Sequence, residues 1–454
     1  MGLAQRVYAD DQTRELFGLA AELADKELRP AAAAAERDGV FPRELFRTLG
    51  GIGLLGLPYP ERAGGGGQSY EVYLQVVEEL AGAWLTVGLG LSVHTLACFP
   101  LAVAGSRQQQ QTWLPELLGG SMLGAYCLSE PQSGSDAAAL RTRAIADGAD
   151  YVIDGVKAWI THAGRADFYT LFARTSGDPD QPGAARGISC LHIPAGTPGV
   201  SAARAEHKMG MRASVTAQMI FDAARVPADH LVGEEGGGFA LALAALAAGR
   251  LGIAACATGL AQAALDAAVG YARERRQFGR RIADFQGVSF LLADMATAVE
   301  AARALYLAAA RRKDAGLPYG PQAAMAKLFA SDAAMRVSTD AVQVLGGYGY
   351  VEDFPAERYL REAKALQIVE GTNQVQRMVI GRALTREQAE AGRLPWRGGR
   401  DQPQDCRPAG PGRQDELHRA GQADRTVRIG RAAAGTAAGT AGRDQGIRRG
   451  YRSR

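Results

Sequence analysis

The spacing of apolar residues changes twice along this chain, near Ser121 and again near Gly236. A sequence with those switches folds as helices, then strands, then helices. Before the first switch, FPRELFRTLGGIGLLGLP and YEVYLQVVEELAGAWLTVGLGLSVHTLACFPLAVAG have helical spacing with Gly and Pro breaks. Residues 1–120 are expected to form an α-helical domain. From 121 to 235 the runs shorten to ADYVIDGVKAWIT, DFYTLFART, GISCLHIP and AQMIFDAARVP, bounded by Gly and Pro. These predict a β-barrel or sandwich, with a hairpin turning at Asp154-Gly155. From 236 to 390 the texture is helical and Ala-rich. Segments beginning at Phe239, Phe285, Pro321 and Asn373 predict a four-helix bundle. The fold class is therefore α+β.

The 454 residues are 47% hydrophobic, enough for a large core. No stretch approaches the roughly 18 consecutive apolar residues of a membrane span, so no membrane association is expected. MGLAQRVYADDQTRELF has no apolar signal core, and a cytoplasmic location is the expectation. The five cysteines are scattered without a CxxC, which argues against a disulfide framework or a zinc site. The formal charge of +3 is uneven. From Ala391 there are 14 Arg, no Lys and 6 acids, leaving 37 basic against 42 acidic residues before it. The basic excess belongs to that tail, so it does not point to nucleic acid binding by the rest. Residues 391–454 hold few large apolar side chains and are expected to be disordered.

Several motifs exclude chemistry. GIGLLG, Gly51 to Gly56, matches GxGxxG but follows a helical segment and runs into Leu57-Pro58, so it reads as a turn. ERAGGGGQS lacks the GK[ST] of a phosphate loop. The six His have no HxxxH or HExxH spacing; His94 and His162 read as core or hydrogen-bonding residues. No GxSxG elbow is present.

AYCLSEPQSGSD, Ala125 to Asp136, is the first specific signal. It resembles the first signature of the acyl-CoA dehydrogenase family. VKAWITHAG resembles the second, with His162 where Asn is common. KMGMRAS with FDAARVPADHLVGEEGGGFALAL, RERRQFGRRIADFQ, AVQVLGGYGYVEDFPAERYLREA and IVEGTNQVQR resemble the later blocks, in family order. The resemblance covers residues 10 to 388 and leaves the tail without a counterpart.

That resemblance implies FAD-dependent α,β-dehydrogenation of an acyl-CoA thioester. Such a reaction needs a base for the α C–H, a hydride acceptor at the β carbon and donors for the thioester oxygen. Glu370 matches the base, and its backbone N–H, with Gly371 beside it, matches the carbonyl site. A carboxylate in an apolar site has its pKa raised, which suits a base. Some relatives place the base on a bundle helix, but Leu246 to Arg250 holds no carboxylate here. Many members have an acid near Ala247 that meets CoA; this chain lacks it and retains Arg250 as a substrate residue. Ser135 matches a CoA contact. Tyr126, Leu128, Ser129, Trp159, Ile160 and Thr161 match residues at the flavin ring. Arg275, Gln277, Phe278, Gln286 and Gln343, Val344, Leu345, Gly346 and Gly347 resemble segments reaching the FAD of a neighbouring subunit. Thr372 and Gln374 match further FAD contacts. The resemblance thus implies a homotetramer or dimer and an electron-transfer flavoprotein as acceptor. The other readings are an acyl-CoA oxidase or related flavin enzyme, and a non-catalytic member of the family.

Overall fold

Polar caps and glycines set where the N-terminal helices begin and end. α1 (Asp11–Leu23) starts where Asp10 accepts the Thr13 N–H at 2.7 Å. A π-helical stretch leads into α2 (Arg29–Asp38), which stops at left-handed Gly39. α3 (Arg43–Gly51) ends inside GIGLLG, and the rest of that motif is turn, with Gly53 at φ 80°. α4 (Tyr70–Ala83), α5 (Leu85–Ala104) and α6 (Arg107–Gly119) follow, the last opened by a reciprocal Ser106–Gln109 capping box. The computed structural model describes residues 10–120, 122–181 and 183–385. The tail expected to be disordered lies outside them.

The strand segments form one hydrogen-bonded sheet. Its strands are β1 (Gly124–Cys127), β2 (Arg143–Asp147), β3 (Asp150–Thr161), β4 (Phe168–Arg174), β5 (Ile188–Pro194), β6 (Val200–Ala202), β7 (Thr216–Pro227) and β8 (Leu231–Val232). The order is β6-β7-β3-β2-β4-β5-β8, with β1 branching in parallel from β4. The hairpin is not at Asp154-Gly155. It turns at Gly148, φ 65°, between β2 and β3, and β3 runs unbroken through Gly155. Asp154-Gly155 is instead a bulge against β7, where Asp154 accepts the Ala223 N–H at 2.9 Å. Gly155 takes φ 152°, and a Cβ there would lie 2.5 Å from Thr142 Oγ1. Asp-Gly thus served close backbone approach within a strand rather than a chain reversal.

α7 (Gly238–Glu274), α8 (Gln286–Asp314) and α9 (Gly320–Leu345) build the C-terminal layer, with a small ribbon of β9 (Arg276–Gln277) and β10 (Arg280–Arg281) between α7 and α8. α11 (Asn373–Thr385) packs on α9. The sequence reading did not anticipate α10 (Ala356–Leu366), which packs on both α9 and α7. Its apolar face is narrow: Ala356, Tyr359, Ala363 and Leu366 are buried at spacings of three and four, amid charge.

α5 and α7 are long and apolar enough to cross a membrane by length and composition, contrary to the expectation from runs of consecutive apolar residues. Their apolar windows are 78% and 61% buried within the protein. α7 reaches that hydropathy with alanine, whose small side chains let it pack closely on α4 and α9. Leu251, Ala254, Ala261, Tyr306, Ala330 and Leu80 share one core across both helical layers.

Candidate active site

The turn between α10 and α11 carries two successive residues in left-handed conformation, Glu370 at φ 51° and Gly371 at φ 89°. Asn373 N–H closes the turn onto the Gln367 carbonyl at 3.0 Å. The turn presents the Glu370 side chain to α7 at Gly249. A Cβ on Gly249 would lie 2.0 Å from Glu370 Oε2 and 3.2 Å from Leu96 of α5. Only glycine leaves room for the carboxylate there. Strain of this kind in a non-glycine residue persists where the surroundings enforce it.

Both Glu370 carboxylate oxygens are buried and make no hydrogen bond to the described residues. Burial pushes the carboxyl up to about 7, with Lys327 and then Arg250 pulling the other way. Arg250, next on α7, is also buried, and its Nε has no partner among the described residues. Burial draws its guanidinium down, opposed by Glu370 and Tyr319. Lys327 of α9 donates to the Gly371 carbonyl at 2.9 Å and to Asn373 Oδ1 at 2.8 Å. Gln376 donates to the same Gly371 carbonyl at 2.8 Å. Tyr70 and Tyr126 donate to the Ala248 and Ala242 carbonyls, tying α4 and β1 to the same stretch of α7. The arrangement is a buried, unbonded carboxylate poised to take a proton near neutral pH.

On the sheet, a second bulge falls between Lys157 and Ile160 of β3. It flips Trp159 outward, φ 62° and 66% exposed, whereas Lys157 and Ile160 stay buried on the other side. A large exposed indole on a strand offers a flat face to a ring. Thr161 is half-buried beside it, and Ile160 points into the sheet's core, so only its backbone faces the same way as Trp159. Leu128 is buried, Ser129 is half-buried and Ser135 is exposed. Ala158 N–H donates to the Ser129 carbonyl at 2.8 Å, which fixes the Leu128–Ser129 and Trp159 stretches side by side. Beneath them Lys157 donates to Glu130 at 2.7 Å and to the Leu128 carbonyl at 3.1 Å. Burial pushes the Glu130 carboxyl up. The Lys157 ammonium and donors from Lys157, Thr142 and Arg141 outweigh that and hold it at about 2. His94 and His162 are buried and hydrogen-bonded, to the Leu117 and Gly124 carbonyls.

Most of the remaining expected contacts gather at the far end of α7, whereas Thr372 and Gln374 follow Glu370 at the start of α11. Arg275 caps that helix, its guanidinium 5.9 Å from the Tyr348 ring centre. Gln277, Phe278 and Gln286 are exposed, Phe278 at 93%. Gln343, Gly346 and Gly347 are exposed too, but the Val344 and Leu345 side chains pack into the core. Thr372 accepts the Val375 N–H at the start of α11, and Gln374 is exposed. At the helical rise, Gly249 and Arg275 stand about 39 Å apart along α7.

Sequence reasoning missed Gly249, Lys327, Asn373, Gln376 and the Lys157–Glu130 pair. Lys327 had a readable signal: it stands on the face of α9 shared by Ala323, Ala330 and Ala334, where a lysine is out of place.

Comparison with known proteins agrees with this geometry. Residues 10–121, 125–224 and 236–385 match the N-terminal, middle and C-terminal domain descriptions of acyl-CoA dehydrogenase. A curated acyl-CoA dehydrogenase of Bacillus subtilis is 47% identical over 364 residues, 80% of this chain and 95% of that protein. Butyryl-CoA dehydrogenase from Megasphaera elsdenii superposes with TM-score 0.81 at 40% identity, over 84% of this chain and 100% of that one. A chain in the structure of the electron transferring flavoprotein of Acidaminococcus fermentans superposes with TM-score 0.81 at 43% identity, over 84% and 100%.

Proposed function

This chain belongs to the acyl-CoA dehydrogenase family, and from that premise we propose that it oxidises a short, straight-chain acyl-CoA at the α and β carbons, with Glu370 as the base. The observation that carries the reading is the Glu370 carboxylate: buried, unbonded and seated on the one glycine that admits it.

Members of this family are FAD flavoproteins, and the residues here fit that group. Trp159 offers an exposed aromatic face, Thr161 a hydroxyl beside it, and Arg275 an exposed guanidinium suited to a diphosphate. Bound there, FAD supplies the hydride acceptor. The chain's own residues do the rest. Glu370 takes the α-proton from the thioester. Its backbone N–H, which bonds to no acceptor among the described residues, is available to the thioester oxygen as negative charge develops. Burial raises the carboxyl to about 7, with Lys327 and then Arg250 opposing the rise, so the base is partly ionised at neutral pH. Closure of this pocket by substrate excludes water and sharpens each of these charges.

The short-chain assignment rests on the likeness to butyryl-CoA dehydrogenase. An electron-transfer flavoprotein as acceptor is supported by the match to the Acidaminococcus fermentans structure. The separation of Arg275 from Glu370 supports a homodimer or homotetramer in which one chain's Arg275 segment meets its neighbour's FAD.

Anaerobic titration of the purified flavoprotein with acyl-CoAs of increasing length tests the proposal. Bleaching of the flavin band, steepest with the four-carbon thioester and abolished in Glu370→Gln, is the expected result. A flavin band that no acyl-CoA bleaches overturns it.

A further inference from the structure

We propose that Lys327 is a positioning residue for proton abstraction: its buried ammonium clamps the turn bearing Glu370 through neutral acceptors and holds a positive charge beside the carboxylate without bonding to it. The proposal rests on Glu370 being the base.

The geometry separates two tasks that one lysine usually merges. A lysine bonded directly to a carboxylate occupies its lone pairs and depresses its basicity, as Lys157 does to Glu130. Lys327 instead spends its donors on the Gly371 carbonyl and Asn373 Oδ1. With Gln376 on the same carbonyl, Gly371 has both lone pairs occupied, so the peptide plane that directly follows the two residues at positive φ is pinned. Asn373 is itself locked, donating to Asp332 at 2.7 Å and sharing hydrogen bonds with Ser331. A lysine with no exposed surface and no carboxylate bonded to it is costly. Its ammonium is drawn down to about 8 by burial, with Glu370 and Asp332 holding it up. Such an arrangement persists where the neighbouring site needs the charge.

The other groups facing this pair are few. Arg250 and Cys256 lie on α7, Tyr70 and Tyr73 on α4, and Tyr126 on β1, with Tyr319 beside Arg250 and Asp332 beside Lys327. Tyr70, Tyr73, Tyr126 and Cys256 are held well above their ordinary values by burial and stay neutral, and burial raises Tyr319 as well. Lys327 and Arg250 are thus the cations that bear on Glu370.

The test compares Lys327→Met, Lys327→Gln and Gln376→Ala as purified flavoproteins, measuring the rate of flavin reduction by butyryl-CoA against pH. In Lys327→Met the acidic limb of the profile moves up by about one pH unit, and the rate at pH 7 falls about tenfold or more, with KM little changed. Lys327→Gln keeps a donor for Gly371 but no charge, so it shows the same shift with a smaller loss of limiting rate. Gln376→Ala removes a clamp without a charge, so its rate falls but its acidic limb stays in place. An unmoved limb in both lysine variants overturns the proposal, as does a loss confined to flavin content or melting temperature. Lys327→Gln decides the matter if Lys327→Met does not assemble. Glu370→Gln is run alongside. If it still turns over, the assignment of the base has failed; if it is dead while the lysine variants keep the wild-type profile, only the role of Lys327 has failed.

Discussion

Two lysines have no exposed surface among the described residues, and they are buried in opposite ways. In the sheet, Lys157 meets Glu130 at 2.7 Å, and the carboxylate's other oxygen takes the Arg141 N–H and the Gln132 amide. Every charge there is answered at hydrogen-bond distance. In the bundle, Lys327 bonds to neutral acceptors, and the Glu370 carboxylate has no hydrogen-bond partner among the described residues. The first arrangement holds loops in register. The second keeps an unsatisfied carboxylate ready to react, at a cost in stability. Burial pushes both carboxyls up; at Glu130 the adjoining Lys157 charge and the donors outweigh it and hold the group at about 2, whereas at Glu370 burial prevails and lifts it to about 7.

The comparison can be broken or sharpened by experiment. The largest effect is expected in Glu370→Gln, where flavin reduction falls by about 10²- to 10⁴-fold, read by stopped flow, while FAD and acyl-CoA still bind. Next is Lys157→Met, which strands Glu130 as an uncompensated buried charge. It is expected to lose about 3–5 kcal/mol in denaturant unfolding, and a loss as small as that of a surface substitution would break the contrast. Gly249→Ala then presses a methyl onto Glu370 Oε2. It should lower turnover roughly a hundredfold, since small misplacements of a catalytic group cost about that much. A melting temperature near wild type alongside that loss would place the fault in the site.

The smallest effect is a matter of sign. Glu370 is raised in the folded state from 4.5 to about 7, so its contribution favours folding below 4.5 and is lost as pH rises through 7. Glu370→Gln should therefore be more stable than wild type above pH 7, by on the order of 2 kcal/mol, with the gain vanishing below pH 4.5. Glu130 is depressed from 4.5 to about 2, so its contribution is present above 4.5 and lost as pH falls toward 2. Stability curves against pH should diverge from wild type with opposite sign, Glu130→Gln losing stability as pH rises from about 2 to 4.5 and Glu370→Gln gaining it as pH rises from 4.5 to about 7.

Much of this was legible in the sequence, and the misses share a cause. Helical and strand spacing located the layers because burial of one face imposes a period on each element. Glu370, Trp159 and Arg275 were singled out through ordered motifs. The hairpin was misplaced because Asp-Gly suits a turn and a bulge equally, and only pairing with β7 decides between them. α10 was overlooked because its apolar stripe is a few residues wide. Val344 and Leu345 belong to a motif whose outward members are Gln343, Gly346 and Gly347; the core claims the other two. Gly249 and Lys327 acquire meaning only where α7, α9 and the turn at Glu370 converge, a coincidence of three separated segments that no local pattern contains.

α7 is a single helix with Gly249 near one end and Arg275 just past the other. In the proposed assembly each reaction centre is built from two polypeptides, one giving its Gly249 half and one its Arg275 half. A subunit damaged at Glu370 and another damaged at Arg275 are then not equivalent lesions. Expressed together, the two dead subunits would form mixed oligomers in which some centres receive two intact halves. Activity would reappear from two inactive genes, in proportion to how freely the subunits exchange.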